Sequence, residues 1–250
     1  MTEQRAKGII LRRRNVGEAD RLYSILTLGK GKVTAKARGV RRVTSKQSGH
    51  LEPFYLTSFH LVSTHGTEII TQAHVEESFP GIHADLGKIG LAARLAELVD
   101  KLTEEHQPVP RVFDLLLEAF QIVEKTAGLP PSLFVRTFEL KLMGALGYRP
   151  ELSQCVVGEE KYSALQSYHF SVSLGGIVCP DHQKRFPGNP ISKSAIQAMR
   201  TILDSPLAEG EKAVGDQETA REVDRLVREF LAYHLDPKLK SPKVEQDLQR

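Results

Sequence analysis

Residues 30–46 read KGKVTAKARGVRRVTSK. The first half alternates with a period of two, with Val33, Ala35 and Ala37 on one side and Lys32, Thr34, Lys36 and Arg38 on the other. A β-strand directs successive side chains to opposite faces. This spacing therefore predicts a half-buried strand whose outer face is cationic and polar. The second half, around Gly39 and Arg41-Arg42, reads as a loop that adds positive charge beside the strand. Seven cations (Lys30, Lys32, Lys36, Arg38, Arg41, Arg42 and Lys46) occur in this stretch, and no acidic residue falls between Asp20 and Glu52. Such a run predicts a surface for a polyanion.

Strand patterns surround the basic stretch from Lys7 to Val75. GIIL (8–11) precedes Arg12-Arg13-Arg14, and RLYSILTL (21–28) alternates. Gly29-Lys30-Gly31 makes a tight turn into the basic strand. Pro53–Ser63 and Glu68–Val75 follow, separated at His65-Gly66-Thr67. Five short strands with turn signals between them predict a small barrel or sandwich. The five-stranded oligonucleotide-binding (OB) barrel fits the strand count and the placement of the cations. An SH3-like barrel of similar size fits the pattern equally.

Charge supports a basic module on a more neutral body. Residues 1–50 hold thirteen Lys/Arg against three Asp/Glu, a balance of +10, whereas the remaining 200 balance to −7 within an overall +3. This asymmetry points to a nucleic-acid or membrane-facing segment. No apolar run approaches the ~18 residues of a membrane span. The N-terminus, MTEQRAKGIILRRR, has a four-residue apolar core followed by three arginines, unlike a secretory signal. A cytoplasmic protein is expected.

Near Pro80-Gly81 the apolar period lengthens to that of a helix. Leu86, Ile89, Leu95, Leu98 and Leu102 share one face, as do Phe113, Leu116, Leu117, Phe120 and Val123 after Pro110. A third helix is predicted from Pro130-Pro131-Ser132 to Gly147, using Val135, Phe138, Leu142 and Leu146. Residues 148–190 are rich in Gly and Pro and hold one alternating run, YHFSVSL (168–174), the pattern of a small hairpin-rich insert. Helical pattern returns over 192–204 and 217–235. In the last helix Arg221, Arg225 and Arg228 lie within reach of Glu222, Asp224 and Glu229, which predicts a solvated, ion-paired face. A polar tail covers 236–250. The expected organisation is thus a barrel (1–79), a first helical part (80–147), the insert (148–190), a second helical part (191–235) and the tail.

Two cysteines lie in the insert, as Cys155-x-x-Gly158 and Cys179-x-x-His182. A structural zinc ribbon takes four soft ligands from two tight turns. The second turn, CPDH, has that form, while the first offers Gly158 where a ligand would stand. Cys155, Cys179 and His182 are the metal candidates, with His169, Glu159 or Glu160 as fourths. Two packed thiols are the competing reading. The sequence contains no Walker-type phosphate loop, no GxGxxG opening a helix and no HExxH or GxSxG. No residue set takes acid, base and nucleophile roles, so a protein without enzymatic activity is expected. A metal-dependent nuclease using Cys179, Asp181 and His182, or an RNA-binding barrel, are the alternatives.

The chain resembles the bacterial RecO family of recombination mediators. The resemblance is carried by GIIL (8–11), GEADRL (17–22), LT (26–27), GK (31–32), ARGVR (37–41), LGYRPEL (146–152) leading to Cys155, LGGIVC (174–179) and LKS (239–241), in family order. It implies an α+β protein with an N-terminal OB-fold, an α-helical body and a zinc-ribbon-like insert. Zinc-binding members carry four cysteines there, and this chain has Gly158 and His182 at two of those places. The resemblance further implies binding of single- and double-stranded DNA and annealing of complementary strands. Action with RecR, to help RecA displace single-strand-binding protein in a nucleoid-associated setting, is also implied. The residues for phosphate contact are then Arg14, Lys30, Lys32, Lys36, Arg38, Arg41, Arg42 and Lys46, and Tyr23 and Phe54 are candidates for base stacking or core packing.

Overall fold

The chain begins with a long strand, β1 (Thr2–Val16), that serves two neighbours. Its first half pairs antiparallel with β4 (Leu56–Thr64) and its second half with β2 (Asp20–Thr27). Gly8 lies at the crossover, where a Cβ would stand 2.6 Å from Ile25 Cγ2 and 3.1 Å from the Leu26 carbonyl, so only glycine lets the strands close up. A register shift between Ile10 and Arg12 bends β1 further. With β3 (Gly31–Ala37) and β5 (Thr67–Glu77) the order is β1-β2-β3-β5-β4, a closed barrel. β3 meets β5 in parallel at Ala35–Glu68 and Lys36–Ile69. This is the OB arrangement, and it decides between the two barrels that the strand pattern left open.

A computed structural model describes residues 2–64, 66–129, 133–158, 161 and 167–235. The expected tail (236–250), the start of the third helix at Pro130-Pro131-Ser132, and His65, Glu159 and Glu160 lie outside the described residues. The described residues form two compact units, divided between Leu129 and Leu133.

The first unit contains the barrel, a short α1 (Pro80–His83), α2 (Leu86–Leu102) and α3 (Pro110–Lys125). Strand β3 alternates as its sequence predicts: Val33, Ala35 and Ala37 are fully buried, and the residues between them are half-buried. They join Tyr23, Ile25, Phe59, Leu61 and Ile70 in the barrel interior. Burying each large side chain contributes about 1.5–3 kcal/mol relative to leaving it exposed. Helix α2 starts on an Asp85 cap that accepts the Lys88 amide at 3.0 Å.

The second unit packs α4 (Leu133–Ala145), α6 (Lys193–Asp204) and α7 (Gln217–Leu235) against one another. The buried Glu139 carboxylate of α4 pairs with Arg136, which also reaches Asp224 of α7 at 2.6 Å. The arginine face of α7 is ion-paired, with Arg225 on Glu229 at 3.4 Å and Arg228 on Asp224 at 2.8 Å. Between α4 and α6 runs the insert, with β6 (His169–Ser171), β7 (Gly176–Val178), a one-turn α5 (Pro180–Gln183) and β8 (Asn189–Pro190), in sheet order β7-β6-β8. Of the alternating run 168–174, only His169–Ser171 is strand. Among the described residues, no helix is long and apolar enough to cross a membrane.

Candidate nucleic-acid interface and metal centre

Across the outer face of β1, β2 and β3 the registers set two transverse rows, Arg12–Ser24–Thr34 and Arg14–Leu22–Lys36. The first row is covered from within the same unit. Asp100, near the C-terminal end of α2, accepts Arg12 Nε on Oδ2 and Ser24 Oγ on Oδ1, both at 2.5 Å. Its main-chain carbonyl accepts the Lys32 ammonium, which also lies 3.7 Å from Oδ1. Glu105 accepts the Thr34 hydroxyl, and the His106 amide donates to the Lys32 carbonyl at 2.9 Å. The segment after α2 thus lies along the first half of β3.

This corrects the expectation of one continuous cationic face. Lys32 is a structural cation, its side chain only 14% exposed. Lys30 sits 3.7 Å from Glu68, and Lys36 pairs with Asp20 at 2.9 Å. The Lys36 ammonium, with the Gly39 amide, holds the Asp20 carboxyl below its ordinary range. The other five expected cations, Arg14, Arg38, Arg41, Arg42 and Lys46, are exposed, and none forms a salt bridge among the described residues, although the charge of Arg38 helps hold the Asp20 carboxyl low.

Four of those five lie in the connection from β3 to β4, which is fastened to the β1–β2 turn. The Gly39 amide donates to Asp20 Oδ1 at 2.8 Å, the Arg41 amide to the Ala19 carbonyl at 2.9 Å and Arg41 Nη1 to the Gly17 carbonyl at 3.1 Å. Further along the loop, Gln47 Nε2 donates to the Thr71 carbonyl of β5 at 2.5 Å. Arg14 ends its row beside the same turn, two pairs from the Val16–Asp20 pair. The open charge of Arg14, Arg38, Arg41 and Arg42 therefore gathers on the barrel end that carries the β1–β2 turn, while Lys46 lies further along the loop, next to the Gln47 contact with β5. Val43 stands fully exposed within the loop. Tyr23 and Phe54 are not available to stack bases: Tyr23 is fully buried in the barrel, and Phe54 packs edge-on against Phe120 with centroids 5.7 Å apart.

Sequence reading missed Asp100 and Glu105 as the groups that cover the first row. The only signal was the acidic Glu104-Glu105 pair, and nothing local assigns such a pair to a strand some seventy residues earlier.

In the second unit the insert brings its three metal candidates together. The ligand atoms of Cys155, Cys179 and His182 all lie within 4.8 Å of one another. His182 Nδ1 is 3.1 Å from Cys179 Sγ and 3.8 Å from Cys155 Sγ. A tetrahedral zinc ion bound at ordinary Zn–S and Zn–N lengths sets such edges at about 3.5–3.8 Å, and the two His182–sulfur separations fall on either side of the nitrogen–sulfur edge. The cysteines are free and buried, packed with Val178 and against Val156, Val157 and Phe186. Burial would raise the Cys155 thiol, but the amides of Cys179, Gly158 and Val157 and the His182 ring outweigh it and hold it below the ordinary range. Burial pushes the Cys179 thiol up. His169, one of the proposed fourths, is not in the group.

Comparison with known proteins covers nearly the whole chain. Residues 1–79 match the family model "Recombination protein O N terminal", and residues 83–243 match "Recombination protein O C terminal". A DNA repair protein RecO of Pelotomaculum thermopropionicum is 33% identical over 240 residues, covering 95% of this chain and 91% of that protein. One from Roseiflexus is 36% identical over 236 residues, covering 93% and 81%. One from Desulforudis audaxviator is 32% identical over 239 residues.

Proposed function

The chain belongs to the recombination protein O family, a family of DNA repair and recombination, and from that premise we propose that it is a non-enzymatic mediator acting by phosphate contact. It binds single- and double-stranded DNA through the loop end of its barrel. It anneals complementary strands and, with RecR, helps RecA onto DNA coated with single-strand-binding protein. The observation that carries this reading is the set Arg14, Arg38, Arg41, Arg42 and Lys46, exposed and outside any salt bridge among the described residues.

Contacts of this kind neutralise phosphates, release counterions and are indifferent to sequence. Annealing two strands requires their backbone repulsion to be screened while base edges stay free to pair. A cationic loop with its aromatic neighbours buried in the core suits that task better than a stacking platform, which would hold the bases it must release. The insert of the second unit contributes a structural zinc site through Cys155, Cys179 and His182. When bound, the ion would cross-link the two turns.

The test is a salt titration of oligonucleotide binding by the wild type and the triple variant Arg38→Ala, Arg41→Ala, Arg42→Ala. Three lost single-strand contacts should flatten the slope of log K against log[salt] by about 2, at ~0.7 per contact. An unchanged slope and affinity would remove the loop from the interface. A strong preference for matched RNA over DNA would transfer the barrel to RNA binding. Annealing of strands coated with single-strand-binding protein tests the mediator role, and failure to anneal them would refute it.

A further inference from the structure

The connection from β3 to β4 is held at both ends and turned outward in the middle. At its start the Gly39 and Arg41 amides are fastened to Asp20 and Ala19, and near its end Gln47 Nε2 is fastened to the Thr71 carbonyl. Between these anchors lie two tight turns. The Arg42 amide donates to the Gly39 carbonyl at 3.0 Å, and the Ser45 amide donates to the Arg42 carbonyl at 2.9 Å. Ser45 then accepts the Gln47 amide on its hydroxyl and the Ser48 hydroxyl on its carbonyl, both at 3.3 Å. Val43 and Thr44 are therefore the corner residues of a braced turn. Such corners ordinarily carry Gly, Pro, Asn, Asp or Ser, whose backbones or side chains support the bend. Valine supports no bend, and here it gives its whole side chain to solvent. It is 104% exposed, against 69% for Leu86, the next most exposed large apolar residue among those described. Its neighbours along the loop include Arg41, Arg42 and Lys46, all exposed and outside any salt bridge among the described residues.

Resting on the reading that this loop meets DNA, we propose that Val43 is its base-contacting residue. The side chain enters between neighbouring bases of an unpaired strand while the cations beside it hold the flanking phosphates. A nucleic-acid strand carries its charge on the backbone and its apolar surface on the base faces, so a tip that offers both kinds of group matches both. Apolar side chains set among cations part stacked bases in other settings, and the cost of unstacking is least where the base is already unpaired. Valine also suits release. It has no aromatic face to stack on a base, so it separates neighbours without retaining them, and its β-branch keeps the wedge stiff. Phosphate contact by itself treats open and paired strands alike. The valine tip lets the loop tell them apart.

The experiment compares the full-length wild type with Val43→Ser, which removes apolar surface, keeps the charge and lies where no packing is disturbed. Binding to single strands should weaken about tenfold at every salt concentration, with the slope of log K against log[salt] unchanged. Binding to blunt duplexes should stay as in the wild type. The chain contains no tryptophan, so Val43→Trp places a single fluorophore at the tip. Single strands should quench it and blunt duplexes should not. Wild-type affinity in Val43→Ser, while the triple variant Arg38→Ala, Arg41→Ala, Arg42→Ala flattens the slope, would overturn the base contact and leave the phosphate contact standing. No effect of either variant would overturn both. Equal weakening on duplexes would refute the distinction between open and paired strands. A blue-shifted Val43→Trp emission on anionic lipid vesicles, with no quenching by DNA, would assign the tip to a membrane surface and overturn the proposal.

Discussion

The Lys32 ammonium donates to the main-chain carbonyl of Asp100 and stands 3.7 Å from the same residue's carboxylate, 68 residues away in sequence. That contact turns a cation of the basic strand into a clamp that holds the end of α2 over β1, β2 and β3. The carboxylate is shared with Arg12 and Ser24 and Glu105 takes Thr34, so two acidic residues cover the row between them. What remains open to a polyanion is the barrel end built by Arg14 and the loop carrying Arg38, Arg41, Arg42 and Lys46.

Lys32 and Arg41 should therefore behave in opposite ways. Lys32→Ala is expected to cost about 1–3 kcal/mol, because it leaves the main-chain carbonyl and carboxylate of Asp100 short of a donor in a mostly covered site. DNA affinity per folded molecule should stay unchanged. Arg41→Ala should leave urea unfolding nearly unmoved and lower the salt slope on single strands by ~0.7. Urea denaturation alongside fluorescence anisotropy reads both effects, and a Lys32 variant that is stable but binds weakly would reverse the assignment.

Asp20 restrains a cation that lies beside the open cluster. Asp20→Asn keeps an acceptor for the Gly39 amide and removes the charge that neutralises Lys36. DNA binding should tighten, and the single-strand salt slope should steepen by ~0.7 as Lys36 becomes available. The opposite result would place Lys36 outside the interface.

The same carboxyl sets an acid limit on the loop anchor. Its folded pKa is lowered, first by the Lys36 hydrogen bond and then by the Gly39 amide. The stabilisation is therefore present in full above the unfolded value of about 3.9 and is lost as pH falls from there through the lowered folded value. The amide resonance of Gly39 should titrate with a midpoint below that of an unpaired aspartate. A midpoint at or above the ordinary value would show that the anchor does not form.

Gly31 should not tolerate a side chain. Its φ is +71°, and a Cβ would lie 1.9 Å from the Gln107 carbonyl oxygen in the segment that follows α2. Gly31→Ala combines left-handed strain with displacement of that segment, so a loss of about 2–4 kcal/mol is expected. Thermal unfolding checks it. A shift within error would mean that 104–107 does not rest against β3.

Incubation with single- and double-stranded DNA and divalent metals should leave both uncut. Cleavage that disappears in a His182→Ala variant would instead favour the nuclease alternative and make this chain an enzyme.

Much of the architecture was legible in the chain itself. The alternation of Val33, Ala35 and Ala37 with Lys32, Thr34 and Lys36 assigned inside and outside of β3 correctly, because a strand's period of two is a property of local backbone geometry. The helical faces of 110–125, 193–204 and 217–235 followed from apolar spacing in the same way. The Cys-x-x-Gly and Cys-x-x-His turns named the three groups that meet in the insert. Strand order, and with it the choice of barrel, needed the pairing of β1 with β4 and of β3 with β5. The fate of each cation was likewise decided in three dimensions. Local sequence shows only which side of a strand a lysine leaves from. Whether it then meets solvent or a carboxylate depends on what packs there, and Asp100 reaches Lys32 only after a whole helix has crossed the sheet.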